Sequence, residues 1–386
     1  MAFDLRLHDR VRYGTGAIEG LPGLVREIGA SRAFVVTDPG VLASGVVARV
    51  LEVLDADGIE SGVFAEVEPN PGAATVERGA QALRTFGTAD AAVIPVGGGS
   101  AMDTAKVLSL RAMNDVPVWE LGYDDPALIP GRPIVAVPTT AGTGAETNSY
   151  GVITDEAAGR KAYIGHPSLH PAATILDPVL TLGLPPAATA ATGIDALTHS
   201  LESLLSANPN PFAEALALAV IRTVAAWLPR AVADGSDLEA RSQMLLASHL
   251  AGVGQASGTG VGLVHALGHA LGTRGRLPHG TALATVLPEV LAFYRDARDR
   301  ELGLVAIELG VRAPGATDAE ATRAAIEAIA SLCDRVGQRR TLRDLGVDRS
   351  IIGDLVADAL ADPAIRNSPR QPTAREAGRI LESVAG

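Results

Sequence analysis

Two hydrophobic patterns divide the chain. Over the first half, short continuous apolar runs alternate with stretches of helical periodicity. Residues 33–37 (Ala-Phe-Val-Val-Thr), 91–96 (Ala-Ala-Val-Ile-Pro-Val) and 133–138 (Pro-Ile-Val-Ala-Val-Pro) read as strands, and the first runs into the turn formers Asp38-Pro39-Gly40. Continuous apolar strands separated by helices predict a parallel sheet covered on both faces. Val152-Ile153-Thr154 and Thr174-Ile175-Leu176 carry the β-rich texture on toward Asp177. After Leu184-Pro185-Pro186 the periodicity turns helical, rich in Ala and Leu and broken by Pro or Gly, with no convincing strand to the end. At 386 residues the chain exceeds what one core usually organises. The pattern therefore predicts an α/β domain over residues 1–182 and an all-helical domain over 183–386, with the change of texture between Thr181 and Pro185.

One stretch suggests a membrane. Ser242 to Thr273 holds no Asp, Glu, Lys or Arg and exceeds the roughly 20 residues that span a bilayer. It also holds His249, Gln255, His265, His269 and Gly252, Gly254, Gly258, Gly260 and Gly262. Lipid would not tolerate that polarity in mid-span. Two buried helices joined near Ala256–Gly262 fit better.

Composition narrows the class further. The chain is 47% hydrophobic with 24 Pro and 42 Gly, which suits a packed enzyme rather than a disordered segment. Its net charge of −12 without a basic block disfavours nucleic acid and anionic membranes as partners. A lone cysteine, Cys333, and an N-terminus charged from residue 4 lead us to expect a cytoplasmic protein.

The chemistry concentrates in three pieces: Asp195-Ala-Leu-Thr-His199, His265-Ala-Leu-Gly-His269 and His279-Gly280. Residues four apart on a helix project from one face, so each of the first two pieces presents a pair of polar side chains together. A single histidine on an apolar helix is usually a satisfied core residue. Here four of the eight histidines lie in these three pieces. Imidazoles and a carboxylate converging from separate helices suit a divalent transition metal. The spacing does not choose between His269 and His279 as the fourth ligand. Glu202, a turn past His199, reads equally as a helix-surface carboxylate or as a partner to a ligand.

Two loops point to a nucleotide. Gly97-Gly98-Gly99-Ser100 follows a strand and opens the helix carrying Asp103 and Lys106. Bare backbone at a helix N-terminus lets amides approach a diphosphate. Thr139, Thr140 and Thr143 lie in Pro138–Glu146, which also follows a strand; open α/β sheets bind ligands at that carboxyl edge. Asp38 suits two roles, accepting ribose hydroxyls in preference to a 2′-phosphate, or capping a turn. Lys161, beside Arg160, reads as a surface charge on its own.

These segments resemble the iron-containing, group III alcohol dehydrogenases. The likeness runs nearly end to end through Gly97–Ser100, PTTAGTGAE (138–146), VITDE (152–156), DPVLTLGLPP (177–186), TAATGIDALTHSLES (189–203), GLVHALGHALG (262–272), LPHG (277–280) and NSPRQPT (367–373). The resemblance implies a dehydroquinate synthase-like architecture: a Rossmann-like NAD-binding α/β domain, a helical metal-binding domain and an active site in the cleft between them. It implies that Asp195, His199, His265 and His279 hold Fe²⁺, with Zn²⁺ as the alternative. By the same resemblance His269 is the catalytic residue beside substrate and nicotinamide. Asp38, Gly97, Gly98, Gly99, Ser100, Asp103, Thr139, Thr140, Thr143 and Lys161 contact NAD. Asn148 and Tyr150 depart from the family in a segment that faces the substrate side. The expected activity is reversible hydride transfer between a small primary alcohol and NAD, in a homodimer. The competing reading, a dehydroquinate synthase-like lyase, requires basic residues for a phosphorylated acid, and the Asp195–His279 region is poor in them. A maleylacetate reductase-like or hydroxyacid-specific relative is the other alternative.

Overall fold

Periodicity of two in the strands produces a sheet buried on both sides. The computed structural model describes residues 10–122, 125–157 and 160–386; the charged N-terminal stretch read above lies outside them. The chain divides into two compact units at Leu184/Pro185.

The first unit holds strands β1 (Val11–Tyr13), β2 (Arg32–Val36), β3 (Glu60–Phe64), β4 (Ala91–Gly97), β5 (Val135–Pro138), β6 (Tyr150–Asp155), β7 (Arg160–Gly165) and β8 (Ala173–Leu176). Six of them form a parallel sheet in the order β1-β8-β5-β4-β2-β3, while β6 and β7 make a separate antiparallel hairpin. The helices are α1 (Leu21–Glu27), α2 (Pro39–Ala43), α3 (Val46–Ala56), α4 (Ala73–Phe86) and α5 (Gly99–Met113). Alternate residues sort to opposite faces. Ala33, Val35, Ala92, Ile94 and Val96 pack with Leu24 of α1 and Val50 of α3. Phe34, Val36, Ala91 and Val93 pack with Val76 and Leu83 of α4 and Leu108 of α5. The apolar runs read as strands are β2, β4, β5, β6 and β8. The half-exposed edge strands β1 and β3 carry no such run and escape the pattern.

The second unit is helical: α6 (Pro186–Leu205), α7 (Pro211–Ala233), α8 (Leu238–Gly254), α9 (Leu263–Thr273), α10 (His279–Glu308), α11 (Asp318–Arg335), α12 (Ile352–Ala361) and α13 (Ala374–Ser383). The uncharged stretch becomes α8, a single π-turn over Gln255–Thr259, and α9. By length and composition α7 could cross a membrane; it packs against α6 and α8. Helix α6 is buried around nearly its whole circumference from Thr189 onward, the condition in which a helix is surrounded by others. Its neighbours are α7, α8 and α10. Polar residues on α6 therefore face protein, which raises the cost of leaving any of them unsatisfied.

Candidate active site

Helix α6 supplies Asp195, His199 and Glu202 in successive turns, all buried. Helix α9 brings His265, and α10 begins at His279. Asp195 Oδ1 lies 3.5 Å from His265 Nε2, 3.7 Å from His279 Nε2 and 3.6 Å from His199 Nδ1. Donor atoms of Asp195, His265 and His279 all fall within 4.8 Å of one another; His199 is not in that set but stacks on His265 with ring centroids 4.7 Å apart.

An ion fits this arrangement. Bonds of about 2.1 Å hold neighbouring donors roughly 3–3.5 Å apart in tetrahedral or octahedral geometry, close to the separations seen. Asp195 Oδ1 and His265 Nε2 are buried yet have no hydrogen-bond partner among the described residues. Such atoms cost free energy unless something satisfies them. Burial alone would raise the Asp195 carboxyl, but His199, His279 and His265 outweigh it and hold the group below the usual carboxylate range. Burial opposes a proton on His265, yet the Glu202 and Asp195 carboxylates overcome it and push the imidazole up to about 9. A pocket that draws a proton this strongly also draws a cation.

Glu202 explains why His265 points inward. Its Oε2 accepts from Gly262 N at 2.8 Å and lies 2.6 Å from His265 Nδ1, while Oε1 accepts from Val264 N at 2.6 Å. One carboxylate thus caps the N-terminus of α9 from a neighbouring helix and sets the His265 tautomer, leaving Nε2 for a ligand. Tyr294 Oη accepts from the intervening Leu263 N at 3.3 Å. Glu202 is 4% exposed, so its surface reading is wrong: the i+3 offset from His199 keeps it on the buried side of a helix that has no exposed face there.

His279 depends on a glycine. A Cβ on Gly280 would sit 2.0 Å from the Ala191 carbonyl oxygen, so only glycine lets the start of α10 approach α6 this closely. His269, one turn past His265, has Nδ1 2.8 Å from Asp362 Oδ2.

The predicted nucleotide residues also gather. Adjacent β2, β4 and β5 end in Asp38, Gly97–Ser100 and Thr139–Thr143. The strand order reverses between β2 and β4, the kind of crevice where open α/β sheets bind ligands. A Cβ on Gly98 would meet Thr140 Oγ1 at 3.1 Å, and one on Gly99 would meet Thr143 Cγ2 at 2.8 Å, so the two loops pack against each other across the glycines. Asp38 Oδ1 accepts from Gly40 N and Val41 N at 2.8 and 3.0 Å, capping α2; the turn role is real and uses one oxygen. Burial raises the Asp103 carboxyl to about 6 against the pull of Lys106 and Lys161. Lys161, on β7, is half-buried and acts on Asp103 rather than standing alone in solvent.

Asn148 is buried and hydrogen-bonded within the protein. Its Oδ1 accepts from Lys106 Nζ at 2.7 Å and from Tyr150 N at 3.2 Å. Lys106 is fully buried and also donates to the carbonyls of Ala145 at 2.5 Å and Tyr150 at 2.9 Å. The departure at Asn148 serves to tie the 145–150 segment to α5. The sequence marks Lys106 only as a resident of the helix after Gly97–Ser100; its role as anchor depends on contacts about 40 residues away.

Comparison with known proteins agrees with this geometry. Residues 9–178 match the family described as iron-containing alcohol dehydrogenase, and residues 189–385 match the C-terminal region of the Fe-containing alcohol dehydrogenase family. Lactaldehyde reductase of Escherichia coli (strain K12) is 36% identical over 375 residues, covering 97% of each chain. The crystal structure of a 1,3-propanediol oxidoreductase superposes with a TM-score of 0.94 at 34% identity, covering 100% of both chains. Sulfoacetaldehyde reductase from Bifidobacterium kashiwanohense, solved in complex with NAD⁺, superposes at 0.88 with 29% identity, covering 100% of this chain and 99% of that one. The chain belongs to the iron-containing alcohol dehydrogenase family and is an oxidoreductase of alcohols and aldehydes.

Proposed function

We propose that the protein transfers a hydride reversibly between a small, uncharged primary alcohol and NAD, as a cytoplasmic homodimer. The observation that carries the reading is the buried carboxylate of Asp195 facing the Nε2 atoms of His265 and His279, with Asp195 Oδ1 and His265 Nε2 lacking a hydrogen-bond partner among the described residues. Asp195, His199, His265 and His279 would hold Fe²⁺, or Zn²⁺ in its place. The ion would supply Lewis-acid stabilisation of the alcohol oxygen, and NAD would accept the hydride.

The protein's own groups do the rest. Glu202 keeps His265 in one tautomer. His269 takes the hydroxyl proton and passes it on, since an imidazole titrates near neutrality. The Gly97–Ser100 and Thr139–Thr143 loops hold the cofactor phosphates, and Asp38 takes ribose hydroxyls. Dehydroquinate synthase-like chemistry is disfavoured: Asp195–His279 contains Arg222, Arg230, Arg241, Arg274 and Arg276 but no lysine. Of these Arg222, Arg230 and Arg274 pair with carboxylates, and Arg241 is bonded to Thr189 and Gly235.

Metal replacement tests the proposal. Protein stripped by chelator should lose activity and regain it with anaerobic Fe²⁺, and Zn²⁺ should support slower turnover. The panel is 1-propanol, a diol and 4-hydroxybutyrate. Full activity without metal would sink the mechanism, whereas preference for the carboxylated substrate would sink only the substrate class.

A second expectation concerns the nucleotide. Asp38→Asn keeps the oxygen that caps α2 but removes the charge that would oppose a 2′-phosphate. Discrimination between NAD and NADP should narrow by about 1–3 kcal/mol, roughly 5- to 150-fold. Equal catalytic efficiency with both cofactors in the unaltered enzyme contradicts the assignment.

A further inference from the structure

We infer that Asp362 is the positioning residue that fixes which nitrogen of His269 exchanges a proton. The inference rests on the reading of His269 as proton carrier and adds the group that makes it work in one direction.

Asp362 sits where α12 has ended, at the N-cap of the short Pro363–Asn367 turn, 93 positions from His269 in sequence. Both of its oxygens are committed. Oδ1 accepts from Ala364 N at 2.8 Å, and Oδ2 lies 2.8 Å from His269 Nδ1. The two side chains are only 10% and 12% exposed. A carboxylate oxygen can only accept, so Nδ1 must carry a hydrogen in the neutral and in the cationic ring alike. The proton gained or lost in turnover therefore moves at Nε2 alone. The ring plane has a second restraint, since His269 stacks on His279 with centroids 5.5 Å apart and an 18° interplanar angle. Asp362 thus sets the tautomer, while the His279 ring and the His265 ring, at 5.9 Å edge-on, help to hold the plane. A buried aspartate behind a catalytic histidine does the same in hydrolytic triads.

The cap makes the inference testable with one nearly isosteric change. In Asp362→Asn only the amide oxygen can accept from Ala364 N, so Oδ1 stays where it is. The amide Nδ2 must then face His269 and donate to Nδ1, which drives the ring hydrogen to Nε2. The α12 boundary survives, but the imidazole is the wrong tautomer to act as a base. The metal-loaded variant should keep its metal content and the KM for 1-propanol within about threefold, while kcat falls roughly 10²- to 10³-fold. The solvent deuterium isotope effect on kcat should rise as proton transfer becomes limiting. On a His269→Ala background the same substitution should cost nothing further, because both changes remove one function.

Three results overturn the inference. Asp362→Asn with unaltered kcat, beside an impaired His269→Ala, does so and leaves the proton-carrier reading intact. An equal fractional loss on the His269→Ala background marks Asp362 as merely structural. Full kcat in His269→Ala removes the proton-carrier reading and this inference with it. Should the variant fail to fold, ¹⁵N spectra of the unaltered Zn²⁺-loaded protein decide: His269 protonated at Nδ1 is expected, and a neutral ring protonated only at Nε2 refutes the assignment.

Discussion

His265→Ala should purify with less than about a tenth of an equivalent of metal and lose turnover by three orders of magnitude or more. A Lewis acid contributes several kcal/mol of charge stabilisation, and each 1.36 kcal/mol is a factor of ten. The fold should persist, because the Glu202 carboxylate loses His265 Nδ1 but keeps its bonds from Gly262 N and Val264 N. His279→Ala should behave similarly, whereas His269→Ala should keep its metal and turn over slowly. Glu202→Gln is the more revealing variant. The amide can present only one acceptor oxygen to a site where Gly262 N and Val264 N donate to different oxygens of Glu202, so its NH₂ must face a donor. Metal affinity should fall 10- to 100-fold through loss of the partner that orients His265, and the start of α9 should fray. Metal analysis across the four variants is the check. A metal-free His269→Ala beside a metal-replete His279→Ala would reverse the ligand assignment.

Gly280→Ala should be the most damaging single-methyl change in the helical unit. The new Cβ would lie 2.0 Å from the Ala191 carbonyl oxygen and 2.5 Å from its carbon. Both belong to backbone inside α6, so neither can rotate away and the helices must separate. Overpacking against rigid backbone costs about 2–4 kcal/mol here, which for a domain of this size lowers Tm by roughly 4–16 °C. Because His279 precedes Gly280, the same displacement carries its imidazole away from Asp195, so metal affinity should fall together with stability. Gly268→Ala is the control. There the added methyl meets the Leu283 side chain, with Cδ2 at 2.4 Å, and a leucine tip can shift. Calorimetry and metal titration should rank Gly280→Ala well below Gly268→Ala. Equal effects would show that the close approach does not hold His279 in place.

Together these variants separate what is encoded locally from what is not. The i, i+4 spacing of Asp195 with His199 and of His265 with His269 was legible in the sequence, because helical periodicity fixes which side chains share a face. So was the sequence of apolar strands ending in glycine and threonine loops, because a strand buried on both faces must be apolar throughout. The change of texture after Leu184 was equally plain. Other features had no local signature. Glu202 reads like any helical glutamate until α9 packs beside it 60 residues later. The choice between His269 and His279 could not come from spacing, since His269 lies one turn past His265 on the same helix while His279 opens the next helix, and either could turn toward Asp195. The structure adds that the donor atoms of His279 group with those of Asp195 and His265, with Gly280 letting α10 approach α6, whereas His269 Nδ1 meets Asp362, 93 positions away. Asn148 stood out only as a departure from the family, and its bond to Lys106 reaches across 42 residues. Backbone periodicity is a short-range property, so the sequence determined the elements and the polar faces they carry. Which donor meets which acceptor depends on the packing of elements far apart in the chain, and only the tertiary structure decided it.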